Sequence, residues 1–147
     1  MYSSWPYWNE YGDTLALLDV KGKTVIDVGA DSGSSVAWFL LHGASKVIAY
    51  EVHPELQIEL KNNFGNDERV QIHSEWIGGM PVGDVFKIDC EGCEIALQEE
   101  HLINYKSWLV AVHSWTHNRK LLLGWIDKHG GRKVWTTPDG LEEVFVK

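Results

Sequence analysis

The chain has 147 residues, of which 44% are hydrophobic and 23% are charged, a composition that suits one globular domain. Its formal net charge of -8 argues against binding of a long nucleic acid, because such binding depends on neutralising phosphates. No apolar run reaches the roughly twenty residues that cross a membrane, and no signal peptide is recognisable. We therefore expect a cytoplasmic protein with no membrane partner.

Aromatic residues dominate the N-terminal segment, before the first predicted strand. Five of them fall within residues 2–11, and residues 8–18 have the spacing of a short helix. Such a helix would pack on the sheet with Leu15 and Leu18 facing inward. The segment 1–22 is also placed to cover a ligand site as a lid, and both interpretations stay open.

Residues 24–35 predict a buried strand, a glycine-rich turn and the start of a helix. Gly29 and Gly33 can adopt positive φ or let a ligand approach the backbone, and the neighbouring serines are candidates to cap the helix. A strand, a tight turn and a helix N-terminus together form a nucleotide-sized site beyond the carboxyl end of the strand. The Gly29-x-x-x-Gly33 spacing differs from the G-x-G-x-x-G of dinucleotide-binding proteins.

Carboxylates indicate which nucleotide this site would take. Asp27 and Asp31 flank the turn, where they would repel a pyrophosphate and attract the sulfonium and amino groups of S-adenosylmethionine. Residues 46–50 predict the second strand, and Glu51 follows it, about twenty residues after the turn, where a carboxylate accepts both ribose hydroxyls of an adenosine. NAD enzymes also hold the adenosine ribose with a carboxylate at this position. Glu51 therefore indicates an adenosine site but does not distinguish S-adenosylmethionine from NAD.

Strands and helices alternate along the rest of the chain, and glycine, proline or asparagine marks many of their boundaries. In chain order we predict a helix over 35–42, a helix over 54–64, strands over 70–73 and 84–88, a helix over 94–100, a strand over 108–112, a helix over 117–129 with Leu121, Leu122, Trp125 and Ile126 inward, and a hairpin over 133–146.

The loop after the third strand lies where an adenosine site of this kind holds the adenine ring. Either Glu75 or Ser74 would bond the amino group of the base. Either Trp76 or Ile77 would cover its ring. The sequence alone does not choose between these neighbours.

Three candidate catalytic residues follow the fourth and fifth strands: Asp89 and Glu91 after the fourth, and His113 after the fifth. Because the carboxyl ends of parallel strands meet at one edge of a sheet, we expect all three at the same site. His113 is suited to general-base work, although a histidine after a strand also serves as a structural cap. The same residue types could hold a divalent ion, but their spacing is not specific, and we predict no metal site.

Cys90 and Cys93 form a C-x-x-C motif without a second pair of cysteines or a thioredoxin-like context. We predict that both are reduced, half-buried residues beside the cofactor.

Three blocks of the sequence resemble the signature blocks of the FkbM-like methyltransferases. They are residues 25–33, 47–54 and 86–94, and the third, which reads Lys-Ile-Asp-x-Glu-Gly-x-Glu from residue 87, is the most specific. The resemblance extends from about Thr24 to Leu97. It departs from the family pattern at Ala30, Cys90 and Cys93.

The resemblance implies a class I enzyme dependent on S-adenosylmethionine, with one methyltransferase domain over residues 1–147. Its α/β fold would be a Rossmann-like, mostly parallel sheet with a C-terminal antiparallel hairpin and helices on both faces. The expected reaction is methylation of oxygen, rather than nitrogen, on a small molecule or sugar. The residues expected at the cofactor are Asp27, Gly29, Ala30, Asp31, Gly33, Glu51, Val52, Glu75, Trp76 and Asp89.

Two other functions stay open. The chain is short, so it could be a cofactor-binding module that lacks its own acceptor site and is degenerate or depends on a partner. An NAD-binding oxidoreductase is the weaker alternative, since the glycine spacing and the acids at the turn oppose it. The sequence also leaves open a homodimer or a partner subunit that completes the acceptor site.

Overall fold

One seven-stranded sheet organises the chain, of which the computed structural model describes residues 7–147. The strands are β1 (Thr24–Val28), β2 (Lys46–Tyr50), β3 (Val70–His73), β4 (Val85–Ile88), β5 (Ser107–His113), β6 (Arg132–Thr136) and β7 (Glu142–Val146). The helices are α1 (Trp8–Tyr11), α2 (Ser34–Leu41), α3 (Pro54–Phe64), α4 (Glu99–Asn104) and α5 (Arg119–Lys128), with 3₁₀ turns at Leu15–Leu17 and Cys93–Ala96.

The strand order across the sheet is β3-β2-β1-β4-β5-β7-β6. The first five strands in the chain pair in parallel, whereas β7 runs antiparallel to both β5 and β6. The predicted fold class, a Rossmann-like sheet with a C-terminal antiparallel hairpin, is therefore confirmed. The order reverses between β1 and β4, and in such sheets ligands bind beyond the carboxyl ends of the strands at this reversal.

Helices cover both faces of the sheet, which explains why the central strands read as continuous apolar runs. On one face, Val25 of β1 packs in a core with Phe39 of α2 and Leu60 of α3. On the other face, Trp108 of β5 packs in a second core with residues of α4 and α5, including Leu122. These cores hold the strand ends in place around the site described below.

The N-terminal helix is shorter than predicted: α1 ends at Tyr11 instead of continuing to residue 18. Gly12 and the following polar residues form helices poorly, and the hydroxyl of Thr14 donates to the carbonyl of Glu10, competing with the backbone. The expected inward positions of Leu15 and Leu18 are nevertheless confirmed, because both side chains are buried. Tyr2 and Trp5, part of the predicted aromatic segment, lie outside the described residues.

The predicted helix over residues 94–100 is wrong. The chain forms a 3₁₀ turn that ends at Ala96, passes through extended residues at Leu97 and Gln98, and starts a new helix at Glu99. The reason is burial of the Glu94 carboxylate, one oxygen of which accepts hydrogen bonds from His113 and Thr116 and the other from the nearby amide of Gly92. A smaller correction concerns Leu121 of α5, which is exposed rather than inward.

The other boundaries agree with the predictions to within about two residues.

No helix within residues 7–147 combines the length and the apolar character needed to span a bilayer.

A buried ion pair joins the two strands at the reversal point. Asp27 of β1 and Lys87 of β4 are register partners, and Lys87 Nζ lies 2.9 Å from Asp27 Oδ1. The second Asp27 oxygen accepts a 2.6 Å hydrogen bond from Ser35 Oγ at the start of α2. Burial alone would lower the pKa of Lys87, but the carboxylates of Asp27 and Asp89 outweigh it and raise that pKa, so the ammonium stays charged.

Lys87→Met leaves the Asp27 carboxylate buried without its cation. We expect this variant to lose about 3–5 kcal/mol of unfolding free energy, measured by urea denaturation. The double variant Asp27→Asn/Lys87→Met removes both charges and should recover most of that loss, since a neutral pair carries no charge to desolvate.

Lys23→Met is the matched control, because Lys23 forms an ion pair with Asp19 at the surface. Loss of this exposed pair should cost no more than about 1 kcal/mol. A double variant no more stable than Lys87→Met alone would contradict the assigned role of the buried pair.

Candidate functional site

A cavity of about 660 Å³ opens at the carboxyl edge of the sheet. Its wall includes the residues that directly follow four strands: Gly29 after β1, Glu51 after β2, Asp89 after β4 and His113 at the end of β5. A volume of this size falls in the range of small-molecule and cofactor sites. The predicted convergence of these residues at one edge is confirmed.

The glycine turn after β1 shapes the floor of the cavity. Gly29 has a φ of 87°, and a side chain there would overlap the backbone carbonyl of Asp89. The amides of Gly29 and Ala30 both donate to the carbonyl of Tyr50, at 3.0 Å each, which ties the turn to the end of β2. Glycine is therefore required at this position by both its backbone angle and its close approach to β4.

Glu51 is held rigidly beside this turn. One carboxylate oxygen accepts a 2.8 Å hydrogen bond from the amide of Asp31, and the other accepts a 2.9 Å bond from the amide of His53. The side chain is 4% exposed but still lines the cavity. A carboxylate fixed in this way is preorganised to accept further hydrogen bonds from a ligand.

Three predicted cofactor residues do not line the cavity. Asp27 is fully buried behind its wall in the ion pair with Lys87, so the expectation that it faces a ligand is wrong. Ala30 and Gly33 also lie outside the lining, and Gly33 instead leaves room for the ring of Phe64. The residue before α2 is Gly33 itself, with no side-chain cap. Two of the expected serine caps, Ser34 and Ser35, bond instead to Tyr11 and Asp27.

The remaining predicted cofactor residues do line the cavity: Gly29, Asp31, Glu51, Val52, Glu75, Trp76 and Asp89. At the loop after β3, Glu75 and Trp76 face the cavity, whereas Ser74 and Ile77 do not belong to its lining. The Trp76 indole donates a 2.9 Å hydrogen bond to the carbonyl of Gly79, which fixes the ring against the sheet.

The lining is strongly acidic. Among the lining residues that the structure describes, eight carry carboxylates and Lys87 is the only lysine or arginine. Its ammonium is already taken by Asp27 and by the carbonyl of Gly29, at 2.7 Å. A cationic ligand is therefore favoured in this cavity and a pyrophosphate is opposed. The eight residues are Glu10, Asp31, Glu51, Glu55, Glu75, Asp89, Glu91 and Glu142.

Burial changes the ionisation of several of these acids. It raises the pKa of Asp31 to about 6, against the opposing charge of Lys87. It raises the pKa of Glu10 to about 7, and the negative charge of Asp89 adds to this shift. Burial and Asp89 likewise raise the pKa of Glu142 to about 7. These shifts are expected where burial disfavours the charged form of a carboxyl group and neighbouring carboxylates add repulsion.

His113 is oriented by Glu94, a residue that sequence reasoning did not select. Glu94 Oε1 accepts a 2.7 Å hydrogen bond from His113 Nδ1 and a 2.6 Å bond from Thr116 Oγ1. Its other oxygen accepts from the amide of Gly92 at 3.1 Å. With Nδ1 donating to Glu94, the lone pair of His113 Nε2 faces the cavity, where a general base or a metal ligand needs it.

The Glu94 contact also affects the ionisation of both partners. Burial alone would lower the pKa of His113, but the bond to Glu94 outweighs it and raises that pKa. Burial alone would raise the pKa of Glu94, but the bonds from His113 and Thr116 outweigh it and lower that pKa. The imidazole is therefore a stronger base than a free histidine.

Asp89, His113 and Glu142 form a cluster whose ligand atoms all lie within 4.8 Å of one another. Glu142 Oε2 lies 3.7 Å from His113 Nε2, and the two residues are register partners on β7 and β5. Glu91, the third catalytic candidate predicted from the sequence, lines the same cavity without joining the cluster. Only the strand pairing brings Glu142, from the C-terminal hairpin, next to His113.

The described part of the N-terminal segment also lines the cavity. The sequence suggested that this segment could cover a ligand site but did not indicate which of its residues would line it. Tyr7, Glu10 and Tyr11 line it, and the Tyr11 hydroxyl is 2.8 Å from Ser34 Oγ. The described part of the segment thus both packs on the sheet and borders the cavity.

The prediction of reduced cysteines is wrong. Cys90 and Cys93 are joined as a disulfide, with Cα atoms 5.6 Å apart, because the turn after β4 brings them together. Their half-buried position beside the cavity is as predicted.

The fold is similar to that of several solved methyltransferases. The fibrillarin of Aeropyrum pernix, solved with bound S-adenosyl-L-methionine, superposes with a TM-score of 0.69 at 13% identity, over 93% of this chain and 73% of that one. An S-adenosylmethionine-dependent methyltransferase from Mesorhizobium loti gives 0.62 at 10% identity over 100% of both chains. A dimethyladenosine transferase from Plasmodium falciparum gives 0.67 at 14% identity, over 95% of this chain and 60% of that one.

Two viral proteins are related in sequence. Uncharacterized protein 65 of Sulfolobus islandicus filamentous virus is 38% identical over 144 residues, 96% of this chain and 90% of that protein. Uncharacterized protein 158B of Sulfolobus islandicus rod-shaped virus 1 is 37% identical over 146 residues, 96% of this chain and 91% of that protein. The chain belongs to the family of these viral proteins. No family model matches the chain.

Glu10→Gln should stabilise the protein at alkaline pH. The pKa of Glu10 rises from 4.5 to about 7 on folding. The contribution of Glu10 to the unfolding free energy is therefore fully present below pH 4.5 and is lost as the pH rises through 7. Glutamine does not ionise and so avoids this loss. The unfolding free energy of the variant, relative to the wild type, should therefore increase by about 1 kcal/mol from about pH 5 to about pH 8. The expected increase is modest because Glu10 is partly exposed. Urea denaturation at both pH values measures it.

Glu59→Gln, which removes an exposed carboxylate of α3, is the control for this experiment. The same pH-dependent gain in both variants would show that burial of Glu10 is not the cause.

Proposed function

We propose that this protein is a methyltransferase that uses S-adenosylmethionine. The observation that carries the proposal is the charge of the cavity, which combines a fixed carboxylate after β2 with an acidic lining and no free lysine or arginine among the described lining residues. S-adenosylmethionine carries an adenosine and two cationic groups, so this lining complements it. The pyrophosphate of NAD would meet repulsion at the same turn.

The cavity residues fit the parts of this cofactor in order. Glu51, with both oxygens already oriented by backbone amides, would accept the ribose hydroxyls. Glu75 and Trp76 would hold the adenine, and Asp31 and Asp89 would attract the amino and sulfonium end. When bound, S-adenosylmethionine supplies an electrophilic methyl group and leaves as a neutral thioether.

The acceptor we propose is a hydroxyl oxygen of a small molecule or sugar, as in the FkbM-like enzymes that the sequence resembles. The cluster of Asp89, His113 and Glu142 borders the cavity beside the proposed position of the methyl group. His113 Nε2, with its lone pair directed there by Glu94, would take the hydroxyl proton as the oxygen attacks. Glu91 lines the same region and would contact the acceptor.

The acidic cavity also limits which acceptor molecules can bind. A phosphate-rich acceptor such as a long nucleic acid would be repelled by the lining and by the net charge of -8. The alternative of a binding module without an acceptor site is less well supported, because a module of that kind has no use for an imidazole oriented toward the cavity.

Isothermal titration calorimetry of the purified protein tests the cofactor. We expect S-adenosylmethionine and S-adenosylhomocysteine to bind and NAD not to bind. Glu51→Gln should weaken binding of S-adenosylmethionine by about tenfold or more, since a hydrogen bond to a charged group contributes about 1.5–3 kcal/mol.

Glu55→Gln is the matched control, since Glu55 lines the same cavity on α3 and its replacement removes the same charge. It should change the affinity much less than Glu51→Gln does. Equal effects of the two variants would reject the ribose contact, and binding of NAD alone would reject the methyltransferase.

Turnover tests the acceptor chemistry. We expect His113→Gln to bind S-adenosylmethionine with an affinity close to that of the wild type, but to lower the methylation rate by about 10²–10⁴-fold, the range of a general base. The assay measures S-adenosylhomocysteine formed with a panel of phenols, sugars and aliphatic alcohols. A rate unchanged by His113→Gln would remove His113 from the reaction, and turnover with primary amines alone would replace oxygen by nitrogen as the acceptor.

A further inference from the structure

The cluster of Asp89, His113 and Glu142 combines one imidazole nitrogen and two carboxylates at the mouth of three adjacent strands. The three residues come from β4, β5 and β7, so the sheet itself sets their separation. Their donor atoms lie within 4.8 Å of one another and face an open cavity. This spacing leaves room for one ion between them, with further positions open to the cavity.

The orientation of His113 is that of a metal-binding imidazole. Glu94 is fully buried and outside the cluster, and it accepts hydrogen bonds from His113 Nδ1, from the His113 amide and from Thr116. Metal-binding histidines in proteins almost always donate their other nitrogen to such a carboxylate or carbonyl. Glu94 therefore fixes the tautomer that leaves Nε2 free for a cation.

Inside the cluster, Glu142 forms a hydrogen bond with Asp89, and this bond contributes to raising the pKa of Glu142, but neither carboxylate forms a hydrogen bond with His113 Nε2. His113 Nε2 lies 3.7 Å from Glu142 Oε2, which is too far for a hydrogen bond. Lys87 is bound to Asp27, and Arg119, which follows β5, is bound to Glu143 instead. Lys87 attracts Asp89 electrostatically, but among the described residues no lysine or arginine forms an ion pair with Asp89 or Glu142.

We propose that Asp89, His113 and Glu142 bind one divalent metal ion of the first transition series. One nitrogen and two oxygen ligands suit ions such as Mn²⁺ and Zn²⁺ better than the all-oxygen sites preferred by Ca²⁺. The second candidate group, Cys90, Cys93 and Glu94, does not offer thiolates, because its two sulfurs are bonded to each other.

A role for this ion in catalysis rests on the proposed function. The open positions of the ion would take an oxygen of the acceptor and lower the pKa of its hydroxyl. In that form His113 Nε2 would bind the ion, and the hydroxyl proton would pass to water in the open cavity.

Binding of Mn²⁺ alone to the metal-stripped protein tests the site. Free Mn²⁺ gives a strong electron paramagnetic resonance signal that is lost on binding, so a titration yields both stoichiometry and affinity. We expect one Mn²⁺ per chain, displaced by Zn²⁺. His113→Gln and Glu142→Gln should each weaken binding by more than about tenfold, and Glu94→Gln by about 10–100-fold through the loss of His113 orientation.

Glu91→Gln is the matched control, because it removes a neighbouring carboxylate that lies outside the cluster. It should change the Mn²⁺ affinity by less than about threefold, as expected for a screened charge. The near-ultraviolet circular dichroism of each variant establishes that it is folded. Absence of binding at millimolar Mn²⁺ and Zn²⁺, or equal weakening in Glu91→Gln and Glu142→Gln, would overturn the proposal.

The outcomes also separate this site from the cofactor. Titration of S-adenosylmethionine into metal-free protein tests the proposed function by itself. Mn²⁺ bound at the cluster without any cofactor affinity would support the metal site and reject the methyltransferase. Cofactor affinity without Mn²⁺ binding would support the methyltransferase and reject the metal site.

Discussion

The buried ion pair between Asp27 and Lys87 is the interaction on which the rest of the site depends. It joins β1 to β4 at the point where the strand order reverses, and through Ser35 and the Gly29 carbonyl it also holds α2 and the glycine turn. Removing charges from water is costly, so such a pair persists only where its geometry is well satisfied. Here it determines where the turn, and hence the cavity floor, can lie.

The same pair decides the charge of the cavity. Lys87 borders the cavity, yet its ammonium is held by Asp27 and by a backbone carbonyl, so it cannot serve an anionic ligand. The carboxylates at the strand ends are then left without a fixed counter-charge. A cationic cofactor and a metal ion, whose proposed positions both border Asp89, would each relieve this excess of negative charge. The two proposals thus have one electrostatic origin.

The segment after β4 shows how a local preference gave way to a distant contact. Residues 94–100 have the composition of a helix, but Glu94 turns inward to bond His113 and Thr116, and the helix starts only at Glu99. Breaking a helical turn costs little compared with leaving a buried carboxylate and imidazole unpaired. The result is an imidazole oriented toward the cavity.

The sequence by itself determined the alternation of strands and helices, the reversed C-terminal hairpin and the set of acids at the strand ends, because periodicity and glycine positions are local properties. It also identified Glu51, Asp89 and His113 at the cavity. Only the tertiary structure decided that Asp27 is turned away to neutralise Lys87, that Cys90 and Cys93 are bonded, and that Glu142 stands beside His113. The Asp27–Lys87 and His113–Glu142 pairs join residues 60 and 29 positions apart, and strand register, which no local pattern encodes, selects them. The two cysteines are only three positions apart, and the turn after β4 brings them together.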